Sequence, residues 1–215
     1  QGMDSTIGYT CLIGKPALDD SVIVKVLKSC GAVPFVKTNI VQSMQSFESG
    51  NPIFGVTGNP HNVEFTPGGS SSGEGSLIGS GGSTLGFGTD IGGSIRAPAH
   101  LSGCCGLKPT RGRLSNLGLQ GQNSQVFCLF ASIGPMAPNV DSLVLAMRAL
   151  ACSLMFELDQ NLPPLPFNEE DFQSKMPLRI GYYMTDGYLE AVPSVQRAVR
   201  MTKELLEKAG HVLVP

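Results

Sequence analysis

The chain is poor in charge. Asp, Glu, Lys and Arg make up 15% of its 215 residues, and the formal net charge is −2. No run of Lys or Arg interrupts that balance, so there is no electrostatic footprint for nucleic acid. The longest apolar runs fall far short of the roughly 20 residues a membrane-spanning helix needs. Neither end reads as a signal peptide, and no N-x-[ST] site hints at secretion. Six cysteines are present, but none in a C-x-x-C pair. Cys104 and Cys105 are adjacent, a poor geometry for bridging each other. The cysteines therefore read as small buried hydrophobes in a reducing, intracellular compartment. His61, His100 and His211 are too scattered to form a metal site. Nucleotide loops are missing too: Gly73-Glu74-Gly75 followed by Gly79 breaks the G-x-G-x-x-G spacing, and no P-loop sequence occurs.

What is present belongs to a folded chain with a large buried fraction. Hydrophobic residues make up 41%, and mean hydropathy is slightly positive. The length suffices for one good core, or for one domain and part of another. The chain opens on Gln-Gly, and it is expected to be an internal piece of a longer protein, poorly soluble by itself because a sheet cut on both sides exposes edges.

Asp19-Asp20-Ser21 ahead of VIVKVLKSC and Gly31 predicts a capped amphipathic helix. A short strand is expected at Ala32–Val36, and a short helix followed by loop over 43–59. A helix of small residues begins at Glu74, and a buried strand covers Leu85–Thr89. A tight turn over Ile91–Ser94 leads into a helix reaching about Leu101. Further strands are expected at Gly106–Pro109 and Val126–Ala131, then a helix over Val140–Met155. The proline-rich LPPLPF, 162–167, marks a subdomain junction near 160–168. Beyond it come a strand at Leu178–Tyr183, a helix at Ser194–Lys208 and a last strand from Val212. Strands alternating with helices predict an α/β layer fold.

The chemistry concentrates in PGGSSSGEGSLIGSGGSTLGFGTDIGGSIR, residues 67–96. Ordering so many glycines costs backbone entropy, and the expected return is a surface of accessible N–H groups and hydroxyls. Gly69-Ser70-Ser71-Ser72-Gly73 fits G-x-S-x-G formally. However, HNVEFTP ahead of it makes a poor buried strand, so a nucleophile elbow is not supported. With no histidine well placed, a serine nucleophile would need a different base. In Thr89-Asp90-Ile91-Gly92-Gly93-Ser94-Ile95-Arg96 the glycine pair clears side chains from a helix start, where N–H groups converge on a negative oxygen. The same residues read equally well as a plain helix N-cap by Ser94. Spacing alone leaves both open.

Residues 68–115 join G-G-S-S-[SG]-G-E, G-T-D-I-G-G-S-I-R and C-G-L-K-P-T, and together these resemble the amidase signature family. GAVPFVKTN, QSMQSFESGNPIFG, LPPLPF and LRIGYY are similar to its fatty-acid amide hydrolase branch. The resemblance implies one amidase domain, of which residues 1–215 form the central part. Its fold is a mixed β-sheet core covered by helices on both faces. It implies a serine hydrolase with a Ser–Ser–Lys triad: Ser94 the acyl-forming nucleophile, and Ser70, after a cis peptide bond, the bridging serine. The N–H groups of Ile91, Gly92, Gly93 and Ser94 would hold the oxyanion, and Met44 would contact substrate. The implied substrate is a lipid amide, with no metal or organic cofactor and no nucleic-acid partner. The parent is expected at endomembranes through regions outside this chain, and the resemblance allows for a homodimer.

Two departures stand out. The family's lysine lies upstream of text matching Gly2–Thr6, and neither Lys37 nor Lys108 is nominated in its place. Gln45 stands where the branch often has an aromatic, although Met44 and Phe47 stay apolar. The rival readings are another family branch, either an aminoacyl-tRNA amidotransferase subunit or a small-amide hydrolase, and an inactive product lacking the lysine.

Overall fold

A computed structural model of the chain describes residues 1–121 and 130–215. The contacts divide it into two compact units, Gln1–Phe167 and Asn168–Pro215.

The first unit is organised around an antiparallel sheet in the order β3-β5-β4. It comprises β3 (Gly86–Asp90), β4 (Cys105–Gly106) and the central β5 (Ser132–Ala137), every residue of which is buried. A small hairpin, β1 (Gly50–Asn51) with β2 (Gly55–Val56), precedes it. Helices cover both faces of the larger sheet. On one face Met136 of β5 packs with Ile78 of α2 (Ser72–Gly79) and with Ile95 and Ala99 at α3 (Arg96–Ser102). On the other, Ile133 joins Val22, Ile23 and Val26 of α1 (Val22–Ser29), Met147 and Leu150 of α4 (Val140–Leu150) and Met155 of α5 (Ser153–Leu158). Two residues of one strand, three apart, serve opposite faces, as strand alternation requires.

β5 is an unlikely strand by composition, with Gly134-Pro135 at its centre. Its register explains how it is tolerated. Pro135 lies opposite Phe87, and the Phe87 N–H turns outward to Glu74 Oε1 at 3.1 Å. This is therefore a non-hydrogen-bonded pair, in which β3 asks nothing of the missing proline N–H. On the other side the Pro135 carbonyl accepts from the Leu107 N–H at 3.0 Å. Gly134 is required by close approach, because a Cβ there would lie 2.0 Å from the Leu107 carbonyl oxygen. Burial raises the Glu74 carboxyl above its ordinary pKa, against hydrogen bonds from the Thr38 hydroxyl and the Phe87 N–H.

Several expectations change. The apolar 32–36 stretch is not a strand. Val33 is 81% exposed and Phe35 and Val36 are also exposed, with no described strand beside them to pair with. Within 43–59 the helix shrinks to a single 3-10 turn, Gln42–Met44, followed by the β1–β2 hairpin. The helix expected over Val140–Met155 is two, because the chain leaves helical geometry at Ala151 (φ −81°, ψ 59°) and restarts after Cys152. The strand expected at Val126–Ala131 lies mostly outside the described residues; the described strand begins at Ser132. The LPPLPF segment is tied to the 111–115 loop by Arg113, which donates to the carbonyls of Leu165 and of Pro166, the latter at 2.9 Å.

The second unit holds a short helix α6 (Glu169–Gln173) and a right-sized βαβ crossover. β6 (Arg179–Gly181) pairs in parallel with β7 (Val212–Val214) through α7 (Pro193–Lys208). A parallel pair needs such a long connection. Proline at the first turn of α7 donates no N–H where none is needed.

Gly134→Ala is expected to destabilise the full-length protein by about 3 kcal/mol, the upper range for overpacking a rigid site. Asn139→Ala, which removes the α4 cap to the Ser142 N–H, should cost about 1 kcal/mol. Urea midpoints of the two variants check both size and order.

Candidate active site

The site is built where β3 stops. Asp90 ends the strand, and the chain reverses over Ile91–Ser94 into α3. The Asp90 side chain has no exposed surface, yet it is fully satisfied. Oδ1 accepts the Gly93 N–H at 2.7 Å, and Oδ2 accepts those of Ile95 at 3.1 Å and Arg96 at 3.3 Å. Arg96, 54% exposed, closes a fork on the carboxylate, Nε to Oδ2 and Nη2 to Oδ1, both at 3.0 Å. Burial pushes the Asp90 pKa upward. The Arg96 fork and the three N–H groups overcome that push and hold it at about 2.

This arrangement separates the two readings of Ser94. The residue before α3 is Ile95, with no side-chain cap, and Asp90 takes the first-turn N–H groups instead. Ser94 is not the cap, and its hydroxyl makes no hydrogen bond to any described residue. The Gly93 N–H donates to Asp90 in this structure. No described residue accepts from the N–H groups of Ile91, Gly92 or Ser94, which leaves three donors on the turn. Gly93 itself adopts φ +136°, a left-handed geometry that favours glycine, with the Phe47 ring 3.1 Å from where a Cβ would sit.

The other serine cluster meets this turn. The Gly69–Ser70 peptide bond is cis. Ser70 is 2% exposed and lies just ahead of α2. The Ser71 N–H donates to the Ser94 carbonyl at 3.2 Å, tying the two clusters together. Ser70 and Ser94 line one cavity of about 70 Å³, together with Ser43, Met44, Gln45, Thr89, Ile91, Gly121, Phe130 and Ala131. No hydrogen bond joins the two hydroxyls. Ser43 and Met44 are consecutive residues with φ near +60°, a sharp turn in non-glycine backbone of the kind found at binding sites. Met44 reaches the cavity, as do its two neighbours.

The lysines are elsewhere. Lys37 Nζ donates to the Asp4 carbonyl at 2.8 Å and to the Ser5 hydroxyl. Burial lowers its pKa, partly countered by Asp4. Lys108 Nζ donates to its neighbour Pro109's carbonyl at 3.4 Å. Neither lines the cavity. Asp90 is the functional residue the sequence reading left without a role. The available signal was an acid at the end of a buried strand, with an arginine six residues on.

Asp90 has a depressed folded pKa, so its stabilisation is complete above the unfolded carboxylate value near 4 and is lost as pH falls toward 2. The denaturation midpoint should therefore drop between pH 4 and 2. Asp90→Asn is expected to cost about 3 kcal/mol at neutral pH and to flatten that part of the profile.

Comparison with known proteins covers the whole chain. The family model described as Amidase matches residues 1–215. Fatty-acid amide hydrolase 1 of Sus scrofa is 54% identical over all of this chain and 37% of its own length. Vitamin D3 hydroxylase-associated protein of Gallus gallus is 52% identical over all of this chain and 46% of its own. A solved fatty acid amide hydrolase superposes with TM-score 0.91 at 35% identity, over all of this chain and 38% of that one. The chain thus spans less than half the length of these relatives. A match of this extent, on a fold with the serine clusters brought to one cavity, places the chain in the amidase family.

Proposed function

We propose that this chain is the catalytic middle of an amide hydrolase that forms an acyl-enzyme on Ser94 and acts on fatty-acid amides. The observation that carries the reading is the turn after Asp90. It carries an uncommitted serine hydroxyl and three N–H groups without an acceptor among the described residues, and its Ile91 and Ser94 line the cavity that Ser70 also lines. An electrophilic carbonyl placed there has its nucleophile and its oxyanion donors on one short segment.

In the reaction, Ser94 Oγ bonds to the carbonyl carbon as its proton passes to Ser70, and the Ser70 hydroxyl proton passes on to a neutral amine. The tetrahedral oxygen is met by the N–H groups of Ile91, Gly92 and Ser94. Collapse breaks the C–N bond, and the proton returns through Ser70 to the departing nitrogen. Water then cleaves the ester and restores Ser94. The amine that takes the proton is, by family resemblance, a lysine ahead of Gly2, since Lys37 and Lys108 are engaged elsewhere. For it to act as a base at neutral pH, its pKa must be lowered by burial.

Fatty-acid amides are the substrates named by the porcine relative at 54% identity and by a 41% identical relative from Caenorhabditis elegans. Met44, Ile91 and Phe130 supply apolar wall. The cavity, at about 70 Å³, is far below the roughly 300–1,000 Å³ of a small-molecule pocket. Under this reading it is the reaction-centre end, and the acyl chain runs on into parts of the parent beyond these residues, as does any membrane docking. Among the described residues no helix is long and apolar enough to cross a membrane. The small cavity favours one second reading, hydrolysis of short amides.

Steady-state kinetics of the full-length protein on oleamide and on acetamide separate the two readings. Oleamide is expected to have the higher kcat/KM. Ser94→Ala should abolish turnover of both. Ser70→Ala should lower kcat by about 10²-fold or more through lost proton transfer, with the nucleophile still present.

A further inference from the structure

One cation beside the cavity is left without a counter-charge. The guanidinium carbon of Arg111 lies 3.4 Å from the centroid of the Phe130 ring, and Phe130 lines the cavity that holds Ser70 and Ser94. Among the described residues Arg111 has no ion pair and no hydrogen bond. Its neighbours in charge are committed: Arg96 is forked onto Asp90, and Arg113 is spent on the carbonyls of Leu165 and Pro166. None of the described residues lining the cavity is charged.

A guanidinium laid flat on an aromatic ring is held in place through its face, while its N–H donors point outward in the plane. The stack restricts the long side chain before any ligand arrives, so less entropy is lost when the fork is used. The natural complement of an unpaired, pre-positioned fork is a carboxylate, which it can meet with two parallel hydrogen bonds. Arg111 is exposed, so its attraction for an anion is sensitive to salt.

We propose that Arg111, seated on Phe130, is a specificity residue that recognises a carboxylate carried by the amide substrate near its scissile bond. The inference rests on the amide-hydrolase reading above and adds a substrate class to it: anionic amides alongside neutral ones. The carboxylate has two sources. It belongs to the leaving amine, as in an amide of an amino acid, or to the acyl part, as in the monoamide of a dicarboxylic acid.

The test uses the full-length protein and two matched pairs of substrates. The first pair is a fatty acyl chain joined to glycine and the same conjugate as its methyl ester. The second is the monoamide of succinic acid and its methyl ester. The quantity read is the ratio of kcat/KM for free acid over ester in each pair. Expected is a ratio above one in at least one pair, falling about tenfold in Arg111→Gln through KM more than kcat, the size of one charge-assisted hydrogen bond. Arg111→Lys, which keeps the charge but not the planar fork, should fall between, and added salt should lower the wild-type ratio. The pair that responds identifies the side of the amide that bears the anion. Esters turned over with ratios that Arg111→Gln leaves unchanged overturn this proposal and spare the hydrolase reading. No turnover of any amide by folded protein overturns both.

Discussion

A carboxylate with no exposed surface holds the centre of this molecule together. Asp90 gathers three backbone N–H groups and the Arg96 fork around one pair of oxygens, and that set of bonds fixes the path from β3 to α3. Without it, the first-turn donors of α3 would need another cap. The strand side is held as firmly, since β3 runs its whole length against a fully buried β5. The turn is thus clamped at both ends, and its free N–H groups are free because Asp90 does the capping.

The clamp also limits what the turn can offer. The Gly93 N–H is engaged in holding the loop, whereas those of Ile91, Gly92 and Ser94 have no acceptor among the described residues. Preorganisation of this kind is what electrostatic catalysis needs: donors fixed in advance and not reoriented during reaction. The second serine cluster is coupled to the same frame through the Ser71 N–H and the Ser94 carbonyl. That one hydrogen bond ties the segment of Ser70 to the segment of Ser94.

The helices were the most legible elements. α1 and α7 announce themselves by apolar period and flanking turn residues, and the structure differs from those expectations by a residue or two. β5 was missed because its pattern is not a strand pattern: Gly134 and Pro135 are there for contacts with Leu107 and Phe87, which no local rule reveals. Ala32–Val36 failed in the opposite direction, apolar and β-branched but with no described partner strand, because pairing and not propensity makes a strand. The break at Ala151–Cys152 carries no glycine or proline to mark it. For the site, the resemblance named Ser70, Ser94 and Met44, and their shared cavity is seen only in the structure. The capping by Asp90 was not legible, because it depends on a carboxylate reaching forward across a turn whose geometry only the fold defines.

The most direct test of the account is peptide mapping of the full-length protein after reaction with a fluorophosphonate. The account expects one covalent adduct, on Ser94, formed more slowly in folded Asp90→Asn because the turn has lost its clamp. An adduct on another serine of an active preparation would contradict it, as would full amidase activity with Ser94 unmodified.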